Sequence, residues 1–347
     1  MHARALFIIA LQKNRKDFLM IKEVAKDIFQ ISVVLPNNPL KELNSYFIRG
    51  KDRDILLDTG FRREESRLAL QQGLDELGSI PERRDVLITH LHADHIGMAD
   101  LFVGEGRHIY FYHVELENER IFLEGGKDSL TQNGYVEAGF SLEMLKEIDK
   151  NNPAVVMSPP CLTEHYRPLF EGDILDVGDY HLQVVPVPGH TPGNAMFWDE
   201  GHGIMFTGDH VLFNITPNIT AWPGYNFENS LKQYLASLAY ADTFPVKLAL
   251  PGHRMTGDYH GRIHELMEHH KHRLNETLSI VKANPGLSPY DIAAQMTWQI
   301  RARNWEEFPS VQKWFAVGEC MSHLDYLSEE GLVTAKMIDG VWHYNTI

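Results

Sequence analysis

Histidine and carboxylate side chains crowd one short stretch of the chain, His90-Leu91-His92-Ala93-Asp94-His95. Imidazole and carboxylate are the donors that zinc and similar divalent ions take at neutral pH. Alternate residues of an extended strand end share a face, so the rings of His90 and His92 can point the same way. A tight turn can then aim Asp94 and His95 at a second position beside the first. Four ligand-type residues in six positions behind an apolar strand are a metal-site signature, against which a polar loop with chance histidines is the bland alternative. Three later segments repeat the theme of an apolar strand ending in glycine and a ligand-type residue: Val187-Pro188-Gly189-His190, Phe206-Thr207-Gly208-Asp209-His210 and Leu250-Pro251-Gly252-His253. Each alone is more often a turn than a site. Together they place His190, Asp209 and His253 on loops that can share one edge of the sheets.

The elements that must position these residues are legible as periodicities. Ile21 to Val34 and Ser45 to Asp58 alternate apolar and polar residues and read as early strands of an antiparallel sheet. Asp54 to Gly60 reads as a buried strand ending in a carboxylate and a glycine turn, and Asp85 to Thr89 as another that delivers the histidine cluster. Arg63 to Leu77 has helical spacing, with Leu68, Leu70, Leu74 and Leu77 as core contacts. Ile96 onward reads as helical, and Ile109 to Tyr112 as strand. Glu115 to Lys150, broken at Gly125-Gly126, is polar and mostly helical, an insertion able to roof a site. Strands resume over Ile174–Val177, His181–Val187, Ala195–Trp198, Gly203–Phe206 and Lys247–Leu250, with helices over Phe227–Ala241 and Asp258–Ala283. The pattern predicts two sheets with helices outside. Asn284-Pro285-Gly286 is a break, giving an N-terminal extension (1–20), a main domain (21–284) and a small C-terminal domain (285–347). In the last, Ser288 caps a short helix to Met296. Pro309 to Glu330 is helical, and Val333–Met337 and Val341–Tyr344 flank the turn signal Asp339-Gly340. Helices followed by a hairpin look like a winged-helix module.

The chain has 347 residues and a formal net charge of −15, enough length for a large core and the wrong sign for unaided binding to nucleic acid or anionic membrane. Two distant cysteines, Cys161 and Cys320, give no disulfide framework, which fits a reducing cytoplasm. The apolar run Ala5–Leu11 is followed by Lys13, Arg15 and Lys16 rather than by a cleavage site, so it reads as part of an extension and not as a signal peptide. No apolar run approaches the ~20 residues of a membrane span. Between Gly286 and Ile347, four basic residues (Arg301, Arg303, Lys313, Lys336) face eight acidic ones, a poor wing for reading nucleic acid. Its apolar residues, Trp314 and Phe315 among them, are expected to dock on the main domain, to wall a pocket or to make a homodimer contact.

The HxHxDH motif, the later His190, Asp209 and His253 in that order, and the earlier Leu56-Leu57-Asp58-Thr59-Gly60 strand resemble the metallo-β-lactamase superfamily over about Ile21 to Leu266. The resemblance implies an αββα sandwich, an α/β (α+β) fold, with two divalent ions at one edge; zinc suits the ligands best, with iron or manganese as alternatives. It assigns His90, His92 and His190 to one ion, Asp94, His95 and His253 to the other, and Asp209 to a bridge. Two ions ~3.5–4 Å apart lower the pKa of a shared water and polarise the substrate's reacting oxygen, with Asp94 orienting the water as the catalytic carboxylate. Asp58 either fixes a ligand histidine's tautomer from behind or caps a turn. His210 is either a supporting or catalytic group beside the ligands or a turn histidine, and Trp222 and Tyr225 are candidate pocket residues. Asp209 stands where the penicillin-cleaving branch typically carries Cys, which argues against a true β-lactamase. His92 stands where the oxygen-reducing branch carries a carboxylate, which argues against a redox role.

Asp209-His210-Val211-Leu212, Thr216-Pro217-Asn218-Ile219 and the C-terminal module are similar to the lactamase-beta-2-like hydrolases, some of which are endoribonucleases. The leading expectation is a dinuclear hydrolase of a small ester, thioester or related acyl substrate. A single-strand endoribonuclease would need a basic track, for which Arg254, Arg262, Lys127 and Lys271 are thin candidates. A binding or regulatory protein with a silent site is the third reading, and the complete ligand set opposes it. His264, His269, His270 and His272 are read as a solvated helix face rather than as another site.

Overall fold

The computed structural model describes residues 21–124, 132–150, 152–299 and 302–347. The expectations for the first 20 residues, and for Lys127 and Arg301, fall outside them. A seven-stranded sheet runs in order β1 (Ile21–Ala25), β2 (Ile28–Val34), β3 (Glu42–Ile48), β4 (Asp54–Leu57), β5 (Arg84–Ile88), β6 (Ile109–Tyr112) and β7 (Tyr166–Leu169). It is antiparallel up to β4 and parallel from β4 to β7. The second sheet has five strands, with β8 (Ile174–Val177), β9 (Tyr180–Pro186), β10 (Ala195–Asp199), β11 (Ile204–Gly208) and β12 (Leu248–Pro251) in reverse spatial order. Its one parallel pair is β11 with β12. β7 is a strand that the sequence pattern did not reveal, because Arg167 and Pro168 break its apolar signal.

In the middle of each sheet both faces are buried, which is why β4, β5, β10 and β11 read as continuous apolar runs instead of alternating ones. Ile48, Ile55, Leu57 and Leu87 of the first sheet pack against Leu182, Val184, Phe197 and Phe206 of the second. The outer face of the first sheet is covered by α1 (Glu64–Glu76), through Leu70 and Leu74. Leu68, expected in the core, is 50% exposed, because it points away from the stripe that Leu70 and Leu74 bury. The outer face of the second sheet packs on helices Ser230–Ala241 and Tyr259–Ala283. The result is the αββα sandwich.

Between β5 and β6 run two single-turn helices, α2 (Ala93–Ile96) and α3 (Ala99–Phe102), shorter than the helix expected from Ile96 onward. The polar insertion forms α4 (His113–Glu124), α5 (Gln132–Glu137), α6 (Leu142–Asp149) and α7 (Pro153–Val156). Then come α8 (Ser230–Ala241) and α9 (Tyr259–Ala283). Helix α8 starts later than expected, because Asn229 takes a left-handed conformation at its start (φ 51°). On α9, His264 is exposed, whereas His270 is buried against His323, 3.4 Å away; the solvated-face reading fails there because a C-terminal helix covers that side.

The C-terminal segment comprises α10 (Pro289–Ala293), α11 (Ser310–Glu329) and the hairpin β13 (Val333–Ile338) with β14 (Val341–Thr346). Ser288 caps α10 by accepting a hydrogen bond from the Asp291 amide. Val317, Cys320 and Leu324 of α11 share an apolar cluster with Tyr135, Leu145 and Val281. The C-terminal helices therefore pack directly on the insertion and on α9. Cys161 and Cys320 are both free thiols, and among the described residues no helix is long and apolar enough to cross a membrane.

Candidate metal centre

Parallel pairing places the site. β4 and β5 run side by side with Leu57 beside Leu87, so Asp58 and Thr89-His90 leave the sheet together. In the other sheet Gly208 pairs with Pro251, so Asp209 and His253 leave together. The two edges are tied: the Ala195 amide donates to the Thr89 carbonyl (3.0 Å), and the Asn44 amide donates to Gly252 (2.7 Å). Gly252 must be glycine, since a β-carbon there would sit 2.6 Å from Asp209 Oδ1 and 2.9 Å from His95 Cε1. His92 is still extended (φ −61°, ψ 141°), and the one-turn helix α2 then swings Asp94 and His95 into the same space.

All seven candidate ligands are brought together. His90, His92 and His190 form one group, Asp94, His95 and His253 a second, and His90, His95 and Asp209 a third; within each, the donor atoms lie within 4.8 Å of one another. Asp209 is central, with Oδ1 3.5 Å from His95 Nε2, and Oδ2 3.8 Å from His190 Nε2 and 3.5 Å from His253 Nε2. Asp94 Oδ2 is 3.2 Å from His253 Nε2.

Four of the five imidazoles are held by Nδ1. His90 Nδ1 meets Thr89 Oγ1 (3.0 Å), His95 Nδ1 meets Asp58 Oδ2 (2.7 Å), His190 Nδ1 donates to the Asn218 carbonyl (2.9 Å), and His253 Nδ1 donates to the Glu42 carbonyl (2.8 Å). A proton on Nδ1 leaves a lone pair on Nε2, the atom aimed at the centre. His92 is inverted, presenting Nδ1 to His90 Nε2 at 3.0 Å. The Nε2 atoms of His95, His190 and His253, and Asp209 Oδ1, are buried without a hydrogen-bond partner. Buried orphaned lone pairs are costly unless something electrophilic meets them, and a converging imidazole and carboxylate set fits divalent cations.

Electrostatics follow from burial and charge. Burial holds the pKa of His92 down to about 3 and lowers those of His90 and His190, keeping these rings neutral and able to coordinate. For His95, burial is outweighed by the charges of Asp58, Asp209 and Asp94, which raise its pKa. Burial would raise Asp94, but His95 and His253 outweigh it and hold the carboxyl at about 2.

Asp58 is fully buried; its Oδ1 accepts from the Thr89 amide and its Oδ2 from the Thr89 hydroxyl, both at 2.9 Å. Its Oδ2 also lies 2.7 Å from His95 Nδ1, where a carboxylate can accept the ring proton. The His210 ring lies outside the clustered groups and packs on Tyr234, with centroids 5.1 Å apart. Trp222 stacks over His92 (6.1 Å, 18° between planes), and Tyr225 sits edge-on against Trp222.

A cavity of about 370 Å³ opens onto His92, Asp94, His190 and Asp209. Its walls include Phe61, Leu91, Phe122, Tyr135, Leu145, Leu212, Ile215, Trp222, Tyr225, Trp314 and Phe315; among the described residues its charged members besides the ligands are the carboxylates Glu119 and Asp149. The insertion thus roofs the site, and α11 supplies part of the wall. The basic candidates are engaged elsewhere. Arg262 donates to the carbonyls of Leu212 and Ile215, Lys271 pairs with Glu268, and Arg254 donates to Pro39.

Sequence reasoning missed several supporting residues. Thr89, between strand and motif, was findable as a lone hydroxyl at a buried strand end. Asn218 and Glu42 meet the ligand histidines through their backbone carbonyls, a contact that side-chain identity does not announce. Glu115 of α4 is buried beneath the loops that carry His92 and His190, and its carboxyl accepts from the Thr191 hydroxyl.

Residues 41–253 match the family described as the metallo-beta-lactamase superfamily. The chain belongs to that superfamily and is a metal-dependent hydrolase. It is 24% identical over 332 residues to the probable metallo-hydrolase YqjP of Bacillus subtilis, covering 93% of this chain and 97% of that one. It is 24% identical over 228 residues to the acyl-coenzyme A thioesterase MBLAC2 of Homo sapiens, covering 60% of this chain and 72% of the relative. Among solved structures, a beta-lactamase domain protein from Burkholderia ambifaria superposes with a TM-score of 0.82 at 26% identity, over 95% of this chain and 96% of that one. A metallo-beta-lactamase family protein from Thermus thermophilus superposes at 0.79 and 26%, over 94% and 100%.

Proposed function

We propose that this chain hydrolyses a small ester or thioester bearing an apolar acyl group, at a pair of divalent metal ions. His90, His92 and His190 would hold one ion, Asp94, His95 and His253 the other, with Asp209 between them. Bound ions of this kind supply Lewis acidity and a water of lowered pKa. Asp94, ionised at neutral pH, would orient the attacking water and accept its proton on a carboxylate oxygen. Trp222 and Tyr225 would press the acyl group against the remaining walls and exclude bulk water.

The observation that carries this reading is the cavity lining: aromatic and aliphatic side chains around the candidate ligands, with further carboxylates and no cation among its described members. Such walls attract an acyl chain and repel a phosphodiester backbone, which needs basic contacts. The name of the human relative, an acyl-coenzyme A thioesterase, points the same way.

Zinc-loaded protein is to be assayed on thioesters and lactones of graded acyl length and on single-stranded RNA, beside Asp94→Ala and Asp209→Ala. Acyl turnover that rises with chain length and disappears in both variants is expected. RNA cleavage lost in both variants, without acyl turnover, would overturn the proposal in favour of the nuclease, and metal-replete protein inert on every substrate would favour a binding role.

A further inference from the structure

The segment from Ile215 to Trp222 carries the carbonyl that orients His190 and the indole that stacks on His92, yet it has no regular secondary structure. Something else must hold it in place. Its supports come from helices far along the chain. Arg262 of α9 takes the Ile215 carbonyl at 2.8 Å. On α11, the Gly318 carbonyl accepts from the Ala221 amide (3.0 Å), and the Ser322 hydroxyl donates to the Ile219 carbonyl (2.6 Å). The approach is close enough that a β-carbon at Gly318 would collide with the Thr220 and Tyr135 hydroxyls.

One of these supports reaches the metal centre in two steps. Glu319 Oε2 accepts from Asn218 Nδ2 at 3.2 Å, and the carbonyl of the same Asn218 accepts from His190 Nδ1 at 2.9 Å. Glu319 is in turn fixed: its other oxygen accepts from Nε and Nη2 of Arg273 on α9, both at 3.2 Å, and its side chain is only 13% exposed. Separating a largely buried ion pair leaves an uncompensated buried charge, so Arg273 holds the Glu319 carboxylate in place.

We propose that Glu319 is a positioning residue for His190, and that the C-terminal helix α11 thereby belongs to the metal centre. Held by Arg273, Glu319 fixes Asn218, whose carbonyl keeps the His190 proton on Nδ1 and the Nε2 lone pair toward Asp209. The inference rests on the reading of His190 as a metal ligand. Outer partners that orient ligands typically carry ~10–100-fold in metal affinity, and a partner one residue further out belongs at the lower end.

The test is zinc affinity of the full chain by chelator competition, with the cobalt(II) absorption spectrum as a report on coordination geometry. Glu319→Ala and Asn218→Ala, the latter keeping the carbonyl but losing the amide tie, should each weaken zinc binding about 10-fold and shift the cobalt bands. The double variant should be no worse than either single, because both cut one tie. Glu319→Gln, whose single amide oxygen can accept from Asn218 or from Arg273 but not from both, should recover only part of the loss. Wild-type affinity and spectrum in folded Glu319→Ala would overturn the proposal, as would losses that add in the double variant. If Glu319→Ala does not fold, wild-type affinity in Asn218→Ala overturns it alone. Failure of the unmodified protein to bind zinc would instead refute the metal reading of the site.

Discussion

Asp58→Asn is the most discriminating perturbation of the metal centre, because it changes one proton's whereabouts and little else. Asparagine matches aspartate in size and tolerates the left-handed backbone that Asp58 adopts (φ 59°). The Thr89 amide donates to Asp58 Oδ1, so the amide oxygen of Asn must take that place and its NH2 must face the Thr89 hydroxyl and His95. His95 Nδ1, now 2.7 Å from a carboxylate oxygen, would meet a donor. The ring then favours a proton on Nε2, the atom that faces Asp209 and Asp94. Restoring the coordinating tautomer sacrifices a hydrogen bond to a charged group, worth ~1.5–3 kcal/mol, or roughly 10–100-fold in affinity. The fold keeps most of the buried hydrogen bonds, so stability should fall by only about 1 kcal/mol. Asp58→Ala, by contrast, strands the buried Thr89 amide and His95 and should cost ~3–5 kcal/mol as well as metal. The assay is zinc competition with a chromophoric chelator, beside denaturant unfolding of the metal-free proteins. Losing the Asp58 charge also lowers the proton affinity of His95, so the comparison is made at two pH values: proton competition fades as pH rises, and the tautomer effect does not. Zinc affinity in Asp58→Asn equal to that of the unmodified protein would refute the assignment of Asp58 as the group that sets the His95 tautomer.

Two further outcomes are expected. Trp222→Ala should raise KM for an apolar thioester about 10-fold, roughly 1.4 kcal/mol of lost stacking and burial, with metal content unchanged; a fall in bound metal would mean that the indole supports His92 rather than substrate. Burial, aided by the Glu119 charge and opposed by Thr191 and the backbone amides, pushes the Glu115 carboxyl up from 4.5 to about 8. The native state therefore holds a proton that the unfolded chain releases, so this contribution to stability is complete below the ordinary carboxylate range and lost as pH rises toward about 8. Glu115→Gln keeps the neutral form at every pH and should flatten the decline of the thermal midpoint over that window; an unchanged slope would show that Glu115 does not hold the proton.

The chemistry of the site was legible because it is written locally. His90, His92, Asp94 and His95 follow one strand, and His190, Asp209 and His253 each follow another, so apolar runs and their endings suffice to find them. The layered fold was legible for the same reason: burial on both faces leaves continuous apolar strands, and a half-buried helix leaves a stripe. Where two faces compete, the pattern is weaker. Leu68 fits the periodicity of α1 but points to solvent, and His270 reads as polar surface until α11 covers it.

The tertiary structure alone decided what surrounds the ligands. Glu319 meets Asn218 across 101 residues of chain, and Asn44 meets the Pro251 carbonyl across 207. The cavity draws its walls from the insertion, the segment near Trp222 and the first turns of α11. A ligand's identity depends on its own side chain and the strand before it, and these are fixed by neighbours in sequence. Its tautomer, its rigidity and the polarity of the space before it depend on atoms brought near only when the sheets close and the C-terminal helix docks.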